Sequence, residues 1–204
     1  MIELVYGGSG SGKSEFAENE ITSLQAKSSL LQAERSNLFY IATMKIRDDE
    51  ARRKVERHRN LRAKKNFITV EASDNLENAV EFISSSLKVS LRAKRSNLIK
   101  GASNSNAYVL LECLSNLVAN EMFLGNGEIV ESEKVVRKIE AGLEKLFSVA
   151  GDIVIVSNNV FDDGIEYDET TREYQKALAA VNIFAASRAD KVSEIVAGIE
   201  VRVK

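Results

Sequence analysis

The chain has no proline and no tryptophan, one cysteine (Cys113) and one histidine (His58). Without proline, element boundaries rest on Gly, Ser, Asn and Asp alone. A single cysteine cannot close an internal disulfide, which excludes a disulfide-stapled scaffold and suits a reducing compartment. No apolar run approaches the ~20 residues of a bilayer span. The N-terminal Met1–Tyr6 lacks a basic flank and runs straight into glycines, so it does not read as a signal peptide. A cytoplasmic protein is expected. Positive charge is not in excess either: the formal net charge is -2, so no global field gathers nucleic acid or an anionic membrane surface. Any anion site must be local.

The 204 residues, 44% of them hydrophobic, suffice for one domain with a real core. Short runs rich in β-branched or aromatic residues read as buried strands: Ile2–Tyr6, Leu38–Thr43, Tyr108–Leu111 and Ile153–Val156. Two more, Lys191–Ala197 and Ile199–Val203, flank Gly198 as a turn. Helical patterns lie between them at 13–24, 48–62, 75–87, 113–124, 132–150 and 170–187. Such alternation predicts a three-layer α/β fold with a mostly parallel sheet and a C-terminal strand pair, in one domain over 1–204. The octad Leu31-Gln-Ala-Glu-Arg-Ser-Asn-Leu38 nearly repeats as Leu91-Arg-Ala-Lys-Arg-Ser-Asn-Leu98. Two copies are too few for a solenoid, so both are expected to be inserted surface loops. A basic patch from Arg92, Lys94 and Arg95 is the competing reading.

The most specific motif follows the first strand. Gly7-Gly8-Ser9-Gly10-Ser11-Gly12-Lys13-Ser14 fits G-x-x-x-x-G-K-[ST] between a strand and a helix, the context of a phosphate-binding P-loop. Its glycines let backbone N–H groups turn around phosphate oxygens, Lys13 supplies charge to the β/γ-phosphates, and the Ser14 hydroxyl is placed to ligate Mg²⁺. The helix that starts here adds its positive end. A chance Gly/Ser turn would lack those flanks. Glu112, closing the run Tyr108–Leu111, is the candidate second Mg²⁺ ligand; it could also be only a helix N-terminal charge.

His58 sits in the strongly basic stretch Arg52–Arg62, with Lys54 and Arg62 four residues to either side on one helical face. Surrounding cations favour neutral imidazole and would hold a polyphosphate. The free lone pair could attack phosphorus. A lone histidine on a charged helix is more often just solvated, and spacing alone leaves both readings open. The same stretch lacks interleaved aromatics, so no nucleic-acid partner is expected.

Several blocks together resemble one family. They are the P-loop octad, Tyr40-Ile41-Ala42-Thr43, Asp49-Glu50 leading to His58-Arg59 and Arg62, and Thr69-Val70-Glu71. Leu111–Leu117, Val156-Ser157-Asn158, Val181-Asn182 and Ala197-Gly198-Ile199 complete the set. In this order, over nearly the whole chain, they resemble the bifunctional adenosylcobinamide kinase/adenosylcobinamide-phosphate guanylyltransferases of cobalamin assembly. The resemblance implies phosphorylation of adenosylcobinamide by a nucleoside triphosphate (ATP or GTP), then GMP transfer from GTP through a guanylylated His58. It implies a guanine nucleotide site lined by Ile41, Ala42, Thr43, Arg59, Asn60, Leu61, Arg62, Glu71 and Glu112. Phosphates and Mg²⁺ would be held by Lys13, Ser14 and Glu112, in a homo-oligomer, possibly a trimer.

Departures are local. Gly10 stands where the family carries arginine. Asn158-Asn159-Val160-Phe161 replaces an Asn-Glu-Val-Gly run, Glu166-Tyr167 a Val-Pro, and Gln175-Lys176 and Ala179-Ala180 replace an Arg-Asp and a Gly-Arg pair. This segment would shape cobinamide or subunit contacts, so a single-activity guanylyltransferase or a small-molecule kinase is the runner-up. A nucleotide-dependent regulatory switch is the alternative from another class. Glu15, Phe16 and Glu18 read as ordinary first-turn residues of the P-loop helix.

Overall fold

The computed structural model describes residues 1–31, 37–46, 49–62, 65–95, 107–161 and 164–204, with backbone only at some helical positions. Thirteen elements alternate along these residues. They are β1 Ile2–Gly7, α1 Lys13–Leu31, β2 Asn37–Ala42, α2 Asp49–Arg62, β3 Ile68–Glu71, α3 Leu76–Arg95 and β4 Ala107–Glu112. Then come α4 Leu114–Met122, α5 Ser132–Val149, β5 Asp152–Asn158, α6 Glu169–Arg188, β6 Lys191–Val196 and β7 Ile199–Arg202. The strands form one sheet in the order β3-β2-β4-β5-β1-β6-β7. Only β7 runs antiparallel, after a two-residue turn with positive φ at both Ala197 (49°) and Gly198 (81°), the geometry that matches strand twist in a hairpin.

The central strands read as continuous apolar runs because helices cover both faces. On one face Phe39, Ile41, Val109, Leu111, Ile153 and Ile155 pack with Ile83, Leu117, Leu143 and Leu178 of the helices α3 to α6. On the other, Tyr40, Leu110, Val154, Val156 and Ile195 pack with Ala17 and Ile21 of α1. These two cores are the expected three layers. All six parallel strands end along one edge, so Gly7, Ala42, Glu71, Glu112 and Asn158 share it.

Two elements run longer than their apolar pattern. Helix α1 continues to Leu31, and α3 through Leu91–Arg95, so those octad residues are helical instead of looped. Asn37 and Leu38 open β2. Octad residues 32–36 and 96–98 lie outside the described residues. Strand β3, absent from the sequence reading, sits at the sheet edge, and only Val70 of its four residues is buried.

A partly buried charge network joins the two ends of the chain. The Lys191 ammonium lies 3.1 Å from Glu3, 2.9 Å from Glu200 and 3.6 Å from Glu20. Ser193 donates to Glu200 at 2.7 Å and lies 3.1 Å from Glu3. Glu3 is fully buried on β1, and burial pushes its carboxyl up despite the Lys191 partner. Removing the lysine alone strands that acid. Lys191→Met is therefore expected to destabilise by about 3 kcal/mol, and the double variant Glu3→Leu/Lys191→Met to recover most of the loss. Urea denaturation of the three proteins measures both.

Candidate active site

Beyond β1 the chain folds back on itself before α1 begins. The Ser11 N–H donates to Gly8 O at 3.2 Å and the Phe16 N–H to Gly12 O at 3.0 Å. Gly7 must be glycine, because a Cβ there would meet the Ile195 carbonyl oxygen at 2.5 Å. Gly12 has φ 93°, and its missing Cβ faces the Gly198 Cα at 3.3 Å. The β6–β7 turn thus braces the loop, and the Gly198 N–H donates to Ser11 O at 2.8 Å.

Lys13, only 8% exposed, folds its ammonium onto the Gly8 carbonyl at 2.9 Å. Burial lowers its pKa, while the neighbouring Cys113 and Glu112 act to raise it. Ser14 donates a short hydrogen bond to one carboxylate oxygen of Glu112, and the Tyr40 hydroxyl donates to the other at 3.0 Å. Tyr40 reaches Glu112 because Tyr40 pairs with Leu110 across β2 and β4, which puts Glu112 diagonally opposite on the same face. Burial, and then the charge of Glu112, pushes the Tyr40 phenol up, so it stays a donor.

The Arg62 guanidinium lies 3.5 Å from the centroid of the Tyr40 ring, a cation–π contact that brings the end of α2 onto β2. Arg62 is 7% exposed; its Nη1 has no hydrogen-bond partner among the described residues and stands 4.0 Å from Glu18. Glu18 also takes Lys65 at 2.9 Å. Glu18 is therefore a buried anchor for the end of α2, in contrast to the ordinary first-turn residue its position implied. The partners that bury it come from more than forty residues away.

The remaining expected nucleotide residues differ in placement. The Ile41 side chain is fully buried in the core on the far face from α1, and Ala42 is half-buried at the end of β2. Thr43 is closed off: its N–H donates to Glu112 O (3.0 Å), its hydroxyl to Cys113 O (2.9 Å), and its carbonyl accepts from Asn120 (2.8 Å). Arg59 and Glu71 form an exposed 3.2 Å ion pair with each other, of a kind worth about 0–1 kcal/mol. The backbone of His58 lies in α2 one turn before Arg62. The side chains of His58, Asn60 and Leu61 lie outside the described residues.

Sequence reasoning missed Tyr40 as a polar partner, along with Lys65 and a cluster behind Glu112. In that cluster Asn158 donates to Ser115 Oγ at 2.5 Å, Ser115 lies 3.0 Å from the Cys113 sulfur, and the Tyr174 hydroxyl donates to Ser115 O at 3.2 Å. Burial pushes the Cys113 thiol up. An uncharged buried thiol is inert, so Cys113 is expected to resist iodoacetamide in the native protein and to react only in denaturant. Mass spectrometry of the alkylated chain checks this.

The family model described as cobinamide kinase / cobinamide phosphate guanyltransferase matches residues 3–92 and 88–203. Among curated proteins, the bifunctional adenosylcobalamin biosynthesis protein CobU of Escherichia coli K12 is 29% identical over the full length of both chains. The protein of the same name from Salmonella typhimurium LT2 is 26% identical, also over both full lengths. The bifunctional adenosylcobalamin biosynthesis protein CobP of Pseudomonas aeruginosa is 26% identical over all of this chain and 98% of its own.

Proposed function

Since the chain belongs to the cobinamide kinase / cobinamide phosphate guanyltransferase family, we propose that it carries both activities on the bed formed by β1, β2, β4 and α2. In the first, the side-chain hydroxyl oxygen of adenosylcobinamide attacks the γ-phosphorus of a nucleoside triphosphate, ATP or GTP, and the nucleoside diphosphate leaves. In the second, a ring nitrogen of His58 attacks the α-phosphorus of GTP and pyrophosphate leaves. A phosphate oxygen of adenosylcobinamide phosphate then displaces the histidine, giving adenosylcobinamide-GDP.

The observation that carries this reading is the convergence of Lys13, Ser14, Glu112 and Tyr40 at the end of β1, with α2 docked beside them through Arg62. Lys13 and the loop N–H groups hold the β/γ-phosphates. Buried Arg62, stacked on Tyr40 and 4.0 Å from Glu18, fixes the end of α2 beside this loop. Arg59 and Glu71 flank the guanine end, where the exposed pair can open to polar ligand groups.

The residues fit Mg²⁺. Ser14 Oγ and a Glu112 oxygen already meet, and both are hard oxygen donors. Among the described residues no group of three or more His, Cys, Asp or Glu forms a protein cage, as suits an ion that keeps water and phosphate ligands. When bound, Mg²⁺ neutralises charge on the phosphates. Ser14 and Glu112 would hold it, and Tyr40 would hold Glu112.

The proposal extends to a homo-oligomer working in the cytoplasm. Ile199, Val201 and Val203 stand exposed at the free edge formed by β7, a row that a soluble chain ordinarily covers. No described helix is long and apolar enough to cross a membrane. The functional reading is tested by supplying the purified protein with adenosylcobinamide, ATP, GTP and Mg²⁺ and following the corrinoid by liquid chromatography and mass spectrometry. Adenosylcobinamide phosphate followed by adenosylcobinamide-GDP is expected. A corrinoid unchanged with both nucleotides present overturns the reading.

A further inference from the structure

Tyr40 touches both halves of the site. Its hydroxyl occupies the Glu112 oxygen that Ser14 does not, at 3.0 Å. One face of its ring carries the Arg62 guanidinium at 3.5 Å. Phe67, just beyond α2, meets the ring edge-on, with centroids 6.0 Å apart and planes at 77°. Lys65, in the same turn, holds Glu18 on α1 at 2.9 Å. The C-terminal end of α2 is thus fastened to β2 and α1 through Arg62, Lys65 and Phe67, and the ring of Tyr40, only 5% exposed, is the surface two of them share.

We propose that Tyr40 is a positioning residue with two separable duties: its hydroxyl orients the Glu112 carboxylate, and its ring sets the seat of α2, the helix that carries His58. The hydroxyl bond holds the carboxylate by its second oxygen, so the oxygen shared with Ser14 is kept toward the phosphate loop before ligand arrives. The ring acts on α2 through a flat, desolvated contact that a guanidinium satisfies well. Because Arg62 follows His58 by one turn of the same helix, a shift at the Tyr40–Arg62 contact displaces the whole face on which His58 sits. One side chain therefore couples the placement of a carboxylate in the phosphoryl-transfer bed to that of the guanylyl-accepting helix.

This role rests on the proposed guanylyl transfer at His58, and two readouts keep them distinguishable. The first is binding of a fluorescent GTP analogue titrated with Mg²⁺, which requires no turnover. The second is the rate of covalent labelling by GTP at saturating Mg²⁺.

Tyr40→Phe keeps the ring and loses the hydroxyl. It is expected to need roughly ten-fold more Mg²⁺ for half-maximal enhancement of binding and, once Mg²⁺ saturates, to lose far less labelling than Tyr40→Leu. Tyr40→Leu loses both, and its labelling should fall about 100-fold even at saturating Mg²⁺ and nucleotide. Arg62→Leu approaches the same contact from the other side, and the Tyr40→Leu/Arg62→Leu double variant should label no more slowly than the worse single. That cycle separates lost positioning from a general loss of folding, which would add.

A Mg²⁺ dependence of Tyr40→Phe that matches the wild type overturns the hydroxyl's duty. Equal labelling by Tyr40→Phe and Tyr40→Leu, or additive losses in the cycle, overturns the ring's. If the wild type binds nucleotide but never labels, the transfer reading fails instead, and the Mg²⁺ titration of Tyr40→Phe still decides the hydroxyl's part.

Discussion

His58→Ala is expected to phosphorylate adenosylcobinamide at close to the wild-type rate and to make no adenosylcobinamide-GDP. The two half-reactions use different nucleophiles. The kinase step is attack by a substrate hydroxyl on the γ-phosphorus and needs Lys13 and the loop, whereas guanylyl transfer needs a protein nitrogen that becomes bonded to phosphorus. Removing a covalent nucleophile lowers such a step by roughly 10⁴-fold or more. No other histidine in the chain can substitute for it. The split between product classes is the informative readout, because a merely destabilised protein would lose both activities in proportion. Accumulation of adenosylcobinamide phosphate with no GDP adduct, followed by chromatography, is the expected pattern. A variant that still makes the adduct at an appreciable fraction of the wild-type rate removes His58 from the mechanism.

Lys13→Met should instead depress both activities, by about 10²–10³-fold each, the scale of losing one preorganised charge at a phosphoryl centre. The side chain is buried against the Gly8 carbonyl, and among the described residues it forms no ion pair with a carboxylate. Isosteric methionine is accordingly expected to leave the melting temperature unchanged or to raise it, since desolvation of the ammonium is removed along with its function. Glu112→Gln makes the complementary test: it keeps the size and hydrogen-bonding reach toward Ser14 and Tyr40 while losing the charge. Its phosphoryl transfer should demand more Mg²⁺, and Lys13→Met should not show that shift. Steady-state kinetics across a Mg²⁺ series distinguishes the two.

The parts of this molecule that were legible beforehand are those in which sequence neighbours are also structural neighbours. The phosphate loop is one continuous octad. Strands β2, β4 and β5 are buried on both faces and so hold unbroken apolar runs, and β1 does so apart from the buried Glu3. Strand β3 escaped because an edge strand with one buried residue carries almost no periodic signal. Helices α1 and α3 outran their expected ends at Leu24 and Leu87 because 25–31 and 88–95 hold neither Gly nor Pro to stop them. An apolar stripe marks where a helix is buried, which need not be where it ends.

The site was readable as residue types and unreadable as contacts. Glu112 was visible as an acid closing a strand. Its partner Tyr40 is 72 residues away, and the pairing exists only through the β2–β4 register that sets Ala42 opposite Glu112. Glu18 reads in the sequence as an ordinary first-turn residue of the P-loop helix, and only the fold brings Arg62 and Lys65 over it. Arg62 was singled out for its place in a basic run, but its burial on an aromatic ring depends on where α2 ends relative to β2. Spacing along one helix reports a face; it does not report what that face meets.

The most direct test is whether the protein itself becomes a guanylyl carrier. Purified protein is incubated with GTP and Mg²⁺, its intact mass is recorded, and the product is then exposed to acid, to alkali and to adenosylcobinamide phosphate in separate portions. A mass gain of one GMP per chain, labile to acid, stable to alkali and discharged onto the corrinoid phosphate, is the predicted result. Tight GTP binding with an unchanged intact mass would contradict it.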